Sequence, residues 1–218
     1  MTTQIRIDIV SDVMCPWCAI GFASLSKALE ALDGRIEASI HWQPFELNPD
    51  MGPQGQNLRE HLQQKYGSTA DESRAARERI TQMGAQLGFT FNFTDDQRIV
   101  NTFNAHQLLH WAGNTAQQTE LKMALFAAYF RDGRDVSQNE VLVDVAASVG
   151  LDRDEAAAVL ADQRFAADIR SKEQQWQEAG IRSVPAIILN QQYLLSGAQP
   201  PESYVKALSE LSFMADEE

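Results

Sequence analysis

The chain has 218 residues, 44% of them hydrophobic, and carries a formal net charge of −12. That length is sufficient for one domain, or for one domain with a large insertion. The negative charge argues against nucleic-acid backbones and anionic membranes as partners, because both are negatively charged themselves. No apolar run approaches the roughly 18 residues of a membrane span, and the N-terminal residues lack the features of a secretory signal, so we expect a cytoplasmic protein.

The first predicted elements are a strand, a helix and a second strand. Polar and apolar residues alternate over residues 4–9, which is typical of a strand. An apolar stripe with helical spacing follows and ends before Gly34; its members are Cys18, Phe22, Leu25, Leu29 and Leu32. Alternation resumes over residues 35–42 and predicts a parallel β-α-β unit.

The segment after the second strand is the first candidate binding region. Pro44 and Pro49 interrupt regular structure there. The segment leaves the carboxyl end of the strand, which is the edge where parallel sheets form their sites. Glu46 and Asn48 are therefore candidates to line a groove, although turn-forming roles fit them equally well.

Helical patterns dominate the next hundred residues. Three pairs of an N-cap residue and a glutamate three positions later predict helix starts; they are Thr69 with Glu72, Ser137 with Glu140, and Asp152 with Glu155. Helices are also predicted over 102–112 and 116–130, whereas the alternating phenylalanines of 89–93 are interpreted as a linker packed on helices. We therefore predict an all-helical insertion domain at residues 55–160.

The last part of the chain returns to the sheet. A helix is predicted over 164–179, short strands over 186–189 and 192–196, and a last helix that begins at the Pro200-Pro201 pair. The fold class is thus α/β. Its sheet domain is discontinuous and consists of residues 1–54 and 161–218.

The two cysteines of the chain form the motif Cys15-Pro16-Trp17-Cys18 at the start of the first helix. Pro16 suits a first helical position, which puts Cys15 at the helix tip and Cys18 one turn further, at the head of the buried stripe. The helix N-terminus favours an anion, so we expect the pKa of Cys15 to lie below its ordinary value of about 8.5. Attack by Cys15 on a disulfide, followed by attack of Cys18 on Cys15, exchanges two electrons without a cofactor.

The two cysteines have two alternative uses, in a structural disulfide and in a zinc site. A structural disulfide would close too short a loop to add much stability. A zinc site would need the cysteines to meet His106 and His110 across a segment far longer than the usual spacing of about 12–15 residues. We therefore favour redox chemistry and predict no metal site.

Taken in order, these features resemble the thioredoxin fold with a large helical insertion, as in the DsbA family and most closely its FrnE-like, signal-less members. The segments that carry the resemblance are residues 11–18, 42–49, 101–106, 183–185 and 195–200. The resemblance implies a protein disulfide oxidoreductase. Its substrates would be protein or small-molecule disulfides and dithiols, with glutathione as a candidate reductant.

The resemblance also implies roles for single residues. Cys15 matches the attacking cysteine and Cys18 the resolving one, while Pro185 matches a proline that is cis beside the motif. The backbone of Val184 would then pair with an extended substrate.

Three residues near the cysteines are supporting candidates. Pro16 and Trp17 lie within the motif, and Trp17 offers a contact surface for partners. The best-known DsbA proteins carry a histidine at the position of Trp17, so the thiolate should be less stabilised here, which favours reduction or reshuffling over forced oxidation. Asp12 would relay a proton to or from Cys18, or cap the helix.

Two rival functions remain open. Kappa-class glutathione transferases and hydroxychromene-carboxylate isomerases share this fold, but they usually carry serine at the position of Cys15. They also carry an Asp-Arg pair where this chain has residues 197–200, Gly-Ala-Gln-Pro. A non-enzymatic chaperone or binding module is the other alternative.

Overall fold

A four-stranded sheet formed by the two ends of the chain carries the helix that begins at the cysteine motif. The computed structural model describes residues 2–216. Its strands are β1 (Thr3–Ser11), β2 (Ile36–Pro44), β3 (Gln56–Asn57), β4 (Arg98–Ile99), β5 (Ala186–Leu189) and β6 (Tyr193–Ser196). The main sheet has the order β2-β1-β5-β6, with β1 parallel to β2 and antiparallel to β5. The predicted parallel β-α-β unit is therefore confirmed.

The central strand β1 is buried on both faces. Ile5, Ile7 and Ile9 form the apolar face that the alternation predicted, and each is at most 1% exposed. The other face carries Asp8, which is also buried and accepts hydrogen bonds from Arg6 and from Gln43 on β2. These bonds satisfy the carboxylate, which lets a polar residue occupy the centre of the sheet.

Helices account for most of the remaining chain. They are α1 (Pro16–Ala31), α2 (Leu58–Tyr66), α3 (Ala70–Leu87), α4 (Phe103–Ala112), α5 (Gln118–Phe126), α6 (Asn139–Ser148), α7 (Arg153–Asp162), α8 (Ala166–Glu178) and α9 (Pro201–Asp216). A π-helical turn over Ala127–Arg131 continues α5. Helix α1 contacts α9 on one side and α3 on the other. Among the described residues, no helix has the length and apolarity needed to cross a bilayer.

The predicted insertion at residues 55–160 is helical apart from one short strand pair. Strands β3 and β4 are antiparallel, with Gln56 opposite Ile99. They join the segment that enters α2 to the segment that precedes α4. A single buried apolar cluster runs through both the sheet and the helical part, so the division into domains at residues 54/55 and 160/161 stays a prediction.

Two of the three predicted helix caps are confirmed. Thr69 forms a capping box with Glu72, and the Asp152 side chain accepts from the backbone N–H of Glu155. The cap predicted at Ser137 is wrong: α6 begins at Asn139 without a side-chain cap, because the Ser137 hydroxyl donates to Asp135 Oδ1 at 2.6 Å instead.

The phenylalanine linker packs on the helices as predicted. Phe91 is 3% exposed, stacks on Phe93 with ring centroids 5.5 Å apart, and meets Phe130 edge-on. It also lies against Gly84 of α3, where no side chain would fit beside the ring.

The insertion also covers the outer edge of strand β2. The Trp42 N–H donates to Gln118 Oε1 at 3.1 Å, and Gln118 Nε2 donates back to the Trp42 carbonyl at 3.4 Å. The Trp42 indole donates to the hydroxyl of Thr119 at 3.0 Å. The start of α5 therefore replaces a neighbouring strand at this position.

The contact between α3 and the linker is testable at Gly84. A Cβ on Gly84 would lie 2.5 Å from the Phe91 ring and 2.8 Å from the Phe89 carbonyl oxygen. We expect Gly84→Ala to lower the free energy of unfolding by about 1–3 kcal/mol, because overpacking outweighs the gain in helix propensity. Gly52→Ala, whose Cβ would meet nothing within 4 Å, is the control and should change it by less than about 0.5 kcal/mol. Equal urea midpoints for the two variants would contradict the close packing.

Candidate active site

The cysteine motif occupies the predicted position at the start of α1. Cys15 is the N-cap residue with extended backbone (φ −88°, ψ 110°), Pro16 is the first helical residue, and the Cys18 N–H donates to the Cys15 carbonyl at 3.0 Å. Both thiols are free. Cys18 is fully buried, as the apolar stripe predicted, while Trp17 is 42% exposed.

The turn before β5 closes over Cys15. The Val184–Pro185 peptide bond is cis, as the resemblance implied, and the Cys15 thiol donates to the Val184 carbonyl at 3.6 Å. On α1, a Cβ at Gly21 would lie 3.2 Å from Pro185 Cγ, so the helix approaches this turn closely. The fold thus brings together residues that are far apart in the sequence.

Burial changes the expected acidity of Cys15. The residue is only 3% exposed, and this burial, reinforced by the neighbouring Cys18, raises the pKa of the Cys15 thiol well above its ordinary value. The expectation of a lowered pKa is thereby corrected. The helix position was predicted correctly, but the sulfur donates to the Val184 carbonyl, which favours the protonated thiol.

Asp12 lies beneath the motif as a fully buried carboxylate. Its Oδ2 accepts from the Leu47 N–H at 2.8 Å, and its Oδ1 lies 3.5 Å from His106 Nε2. Burial opposes ionisation, but His106, Leu47 and Lys122 together hold the pKa of Asp12 below its ordinary value. The side chain does not cap α1, and its role as a proton relay to Cys18 stays a prediction.

The two histidines weighed as zinc ligands face different neighbours. His106 on α4 is 2% exposed and faces Asp12. His110, one turn further, lies 3.8 Å from Asp168 of α8 and 4.9 Å from the Phe165 ring, centroid to centroid. No group of three or more potential ligands from His, Cys, Asp and Glu occurs among the described residues.

Lys122 on α5 is a site residue that the sequence reasoning missed. It is 1% exposed, and its Nζ lies 5.2 Å from the Trp42 ring centroid and 5.0 Å from that of Phe126. Burial lowers the pKa of Lys122 to about 8, against the opposing influence of Cys18, Asp12 and Cys15. The available signal was a lysine in an apolar stretch, four positions before Phe126.

Glu46 belongs to a buried ion cluster rather than to an open groove. Its carboxylate pairs with Arg170 and accepts from Asn101 Nδ2 at 3.3 Å, while its N–H donates to Glu173 Oε1 at 3.0 Å. Burial, followed by the charge of Glu173, raises the pKa of Glu46 although Arg170 opposes the shift. Arg170 and Glu173 on α8 were not anticipated, because their partners lie far along the chain.

Asn48 sits beside this cluster and fixes the next helix. Its Oδ1 accepts from Lys65 Nζ at 2.8 Å, and the same ammonium donates to the Leu47 carbonyl at 3.0 Å. The segment after β2 is therefore held from two sides, by α8 through Glu46 and by α2 through Asn48.

Comparison with known proteins places this arrangement in context. A family model described as a DSBA-like thioredoxin domain matches residues 6–209. The crystal structure of a probable DsbA oxidoreductase from Streptomyces coelicolor superposes with a TM-score of 0.88 at 33% identity and covers 94% of this chain and 89% of that chain.

Two more distant structures share the fold. The cytosolic disulfide reductase DsbM from Pseudomonas aeruginosa, solved with GSH, has a TM-score of 0.62 at 16% identity, over 94% of this chain and 98% of that chain. A 2-hydroxychromene-2-carboxylate isomerase has a TM-score of 0.71 at 14% identity, over 97% and 98% of the two chains.

The buried charge of Lys122 is testable through stability. Because its pKa is lowered to about 8, the unfolded chain binds more protons than the folded chain between pH 8 and the ordinary value of 10.5. Stability contributed at this position therefore rises with pH across that window. We expect Lys122→Met to be more stable than wild type by about 1–3 kcal/mol at pH 7, with the advantage shrinking towards pH 10.

Urea unfolding of both proteins at pH 7 and pH 10 measures this difference. Lys206→Met, which replaces an exposed lysine on α9, is the matched control and should show no such pH-dependent advantage. A Lys122→Met protein that is less stable than wild type at pH 7 would contradict the assigned cost of this buried charge.

Proposed function

Since the chain belongs to the family of DSBA-like thioredoxin domains, we propose that it is a thiol–disulfide oxidoreductase in which Cys15 attacks a substrate disulfide and Cys18 resolves the product. The observation that carries this proposal is the position of Cys15 at the helix tip. There its sulfur faces Val184 beside Pro185, with Cys18 buried one turn below.

Substrate docking would activate Cys15 through Val184. In the free protein the Val184 carbonyl accepts from the Cys15 thiol, which favours the protonated sulfur. An extended substrate that pairs with the Val184 backbone would offer its own N–H to that carbonyl. The thiol would lose its acceptor, and the helix N-terminus would then favour the thiolate.

The exchange proceeds through a mixed disulfide. The Cys15 thiolate attacks one substrate sulfur, the substrate disulfide breaks, and the leaving thiolate takes up a proton. Cys18 then loses its proton and attacks Cys15, which releases the second substrate thiolate and leaves a Cys15–Cys18 disulfide. Asp12 is ionised and can accept the proton of Cys18, while the Lys122 ammonium favours negative charge on that sulfur.

The direction that fits these groups best is reduction or reshuffling of substrate disulfides. A strongly oxidising protein needs a reduced form that is stabilised as a thiolate. Here the pKa of Cys15 is raised, which disfavours the thiolate, and Trp17 supplies no cation that would stabilise it. DsbM is described as a cytosolic reductase, which agrees with this direction and with the expected cytoplasmic setting. Protein disulfides, small disulfides and glutathione are the candidate substrates and reductant.

The rival glutathione-dependent chemistry is less well supported. The isomerase shares only the fold at its level of identity. Cys15 and residues 197–200 differ from the pattern of those enzymes, and the likeness to FrnE-like proteins remains a prediction from sequence.

The roles of the two cysteines can be separated by substitution. We expect Cys15→Ser to abolish reduction of insulin disulfides, because it removes the attacking sulfur. Cys18→Ser should also lose turnover but should accumulate a mixed disulfide between Cys15 and the substrate, visible by mass spectrometry without reductant. Full turnover by Cys15→Ser, or trapping on Cys18 instead, would refute the assignment.

The relay role of Asp12 can be isolated in the second step. Cys15 is first converted to a mixed disulfide with thionitrobenzoate, and its release by Cys18 is followed by absorbance. We expect Asp12→Asn to slow release about 100-fold near pH 7, since the acceptor for the Cys18 proton is lost. The defect should diminish towards pH 9 as hydroxide deprotonates Cys18 directly.

An Asn side chain can still accept from the Leu47 N–H, so this variant keeps the local hydrogen bond. Asp33→Asn, which makes the same change at an exposed carboxylate away from the site, is the control. A defect in Asp12→Asn that stays constant with pH would indicate a structural role alone.

A further inference from the structure

A basic cavity lies between strand β2 and helices α4, α5 and α8. Its volume is about 170 Å³, and neither cysteine lines it. Its basic lining residues are Arg6, His41, His106, His110, Lys122 and Lys172. No carboxylate is among its lining residues in the described chain, although the whole protein carries a net charge of −12.

Lys122 supplies the buried positive charge of this cavity. Its side chain is 1% exposed, and Nζ has two aromatic rings as neighbours. Within residues 2–216, Lys122 takes part in none of the salt bridges that the neighbouring carboxylates form. A buried ammonium needs acceptors, and the cavity is the space in which they can be placed.

Lys172 is the second cation that lines the cavity without a salt bridge among the described residues, whereas Arg6 and His110 each lie beside an aspartate. Arg6 is engaged by Asp8 in two bonds of 2.7 Å. His110 lies beside Asp168, but burial lowers its pKa and favours the neutral ring. Lys172 on α8 lines the cavity without a salt bridge to any described carboxylate.

The remaining lining groups add hydrogen-bond donors, and one buried carboxylate lies behind the wall. Asn114 contributes an amide to the wall, and His106 lines it while its Nε2 lies 3.5 Å from Asp12. Asp12 is the buried negative charge that influences both His106 and Lys122, but it does not line the cavity. The cavity wall therefore presents the ammonium groups of Lys122 and Lys172 together with further hydrogen-bond donors.

We propose that this cavity binds a small tetrahedral oxyanion, of the phosphate or sulfate class, between Lys122 and Lys172. A volume of about 170 Å³ leaves room for one such ion. Charge-assisted bonds from two ammonium groups are the usual means of holding an oxyanion of this size.

Binding of the anion at Lys122 would also change the reactivity of the thiols, a consequence that rests on the proposed function. The Lys122 charge is coupled to Cys18 and Cys15 and favours their thiolates. An anion at Lys122 offsets that charge, so it should make the Cys15 thiolate less favourable and slow its reaction. Coupling between the two sites is reciprocal in free energy.

Calorimetric titration with sodium phosphate, at constant ionic strength in a chloride buffer near pH 7, tests the site directly. We expect saturable binding of one ion per chain, and a rise of the thermal midpoint that matched chloride does not give. Lys122→Met should weaken binding at least tenfold, and Lys172→Met should weaken it less. Lys206→Met, which alters an exposed lysine on α9, should bind as wild type does.

Three outcomes would overturn the proposal. The first is the absence of a saturable heat of phosphate binding with wild type, which means that water alone fills the cavity. The second is an unchanged phosphate affinity in a folded Lys122→Met protein. The third is a loss of phosphate affinity in Lys206→Met that equals the loss in Lys122→Met. Cys15→Ser should bind phosphate like wild type, so a failure of the proposed redox function would leave this result intact. Alkylation rates of Cys15 with and without phosphate then measure the coupling separately.

Discussion

A buried negative charge beneath the cysteine motif is the constraint on which the rest of the structure depends. Removing a carboxylate from water costs several kcal/mol, so Asp12 requires partners in fixed positions. They come from three parts of the chain: the Leu47 N–H follows β2, His106 lies on α4, and Lys122 lies on α5. The helical insertion therefore does more than cover the sheet, because it supplies two of the groups that lower the pKa of this carboxylate.

A second ion cluster, with two buried carboxylates and a half-exposed arginine, fixes the segment between the sheet and the insertion. The charge of Glu173 raises the pKa of Glu46, and Arg170 bridges the two carboxylates while its guanidinium lies 4.0 Å from the centroid of the Phe103 ring. Such clusters rarely add much net stability, but removing one member leaves an unpaired buried charge. The cluster thus specifies how α8 sits against the segment that carries Leu47, and through Leu47 it bears on Asp12.

The pattern of the sequence was sufficient for the architecture and for the positions of the two cysteines. Periodicity predicted β1, α1 and β2, and the resemblance added the cis bond at Pro185. Sequence could not predict the burial of Cys15, since that depends on a turn 169 residues away. Lys122, Arg170 and Glu173 were missed for the same reason: a charged residue in a helix is normally solvated, and only tertiary packing makes it an exception.

The side-chain amide of Gln118 affects whether another chain can pair with the edge strand β2 of the sheet. An open edge strand is a template on which another chain can pair, which is a recurrent route to aggregation. By exchanging both hydrogen bonds with the Trp42 backbone, one side chain occupies the β2 edge towards the carboxyl end of the strand. The opposite edge, β6, keeps its exposed Tyr193 and Leu194. The two edges of the sheet therefore differ in their ability to pair with another strand. A strand that approaches β6 finds backbone hydrogen-bond partners, whereas a strand that approaches β2 finds the position at Trp42 already occupied by Gln118.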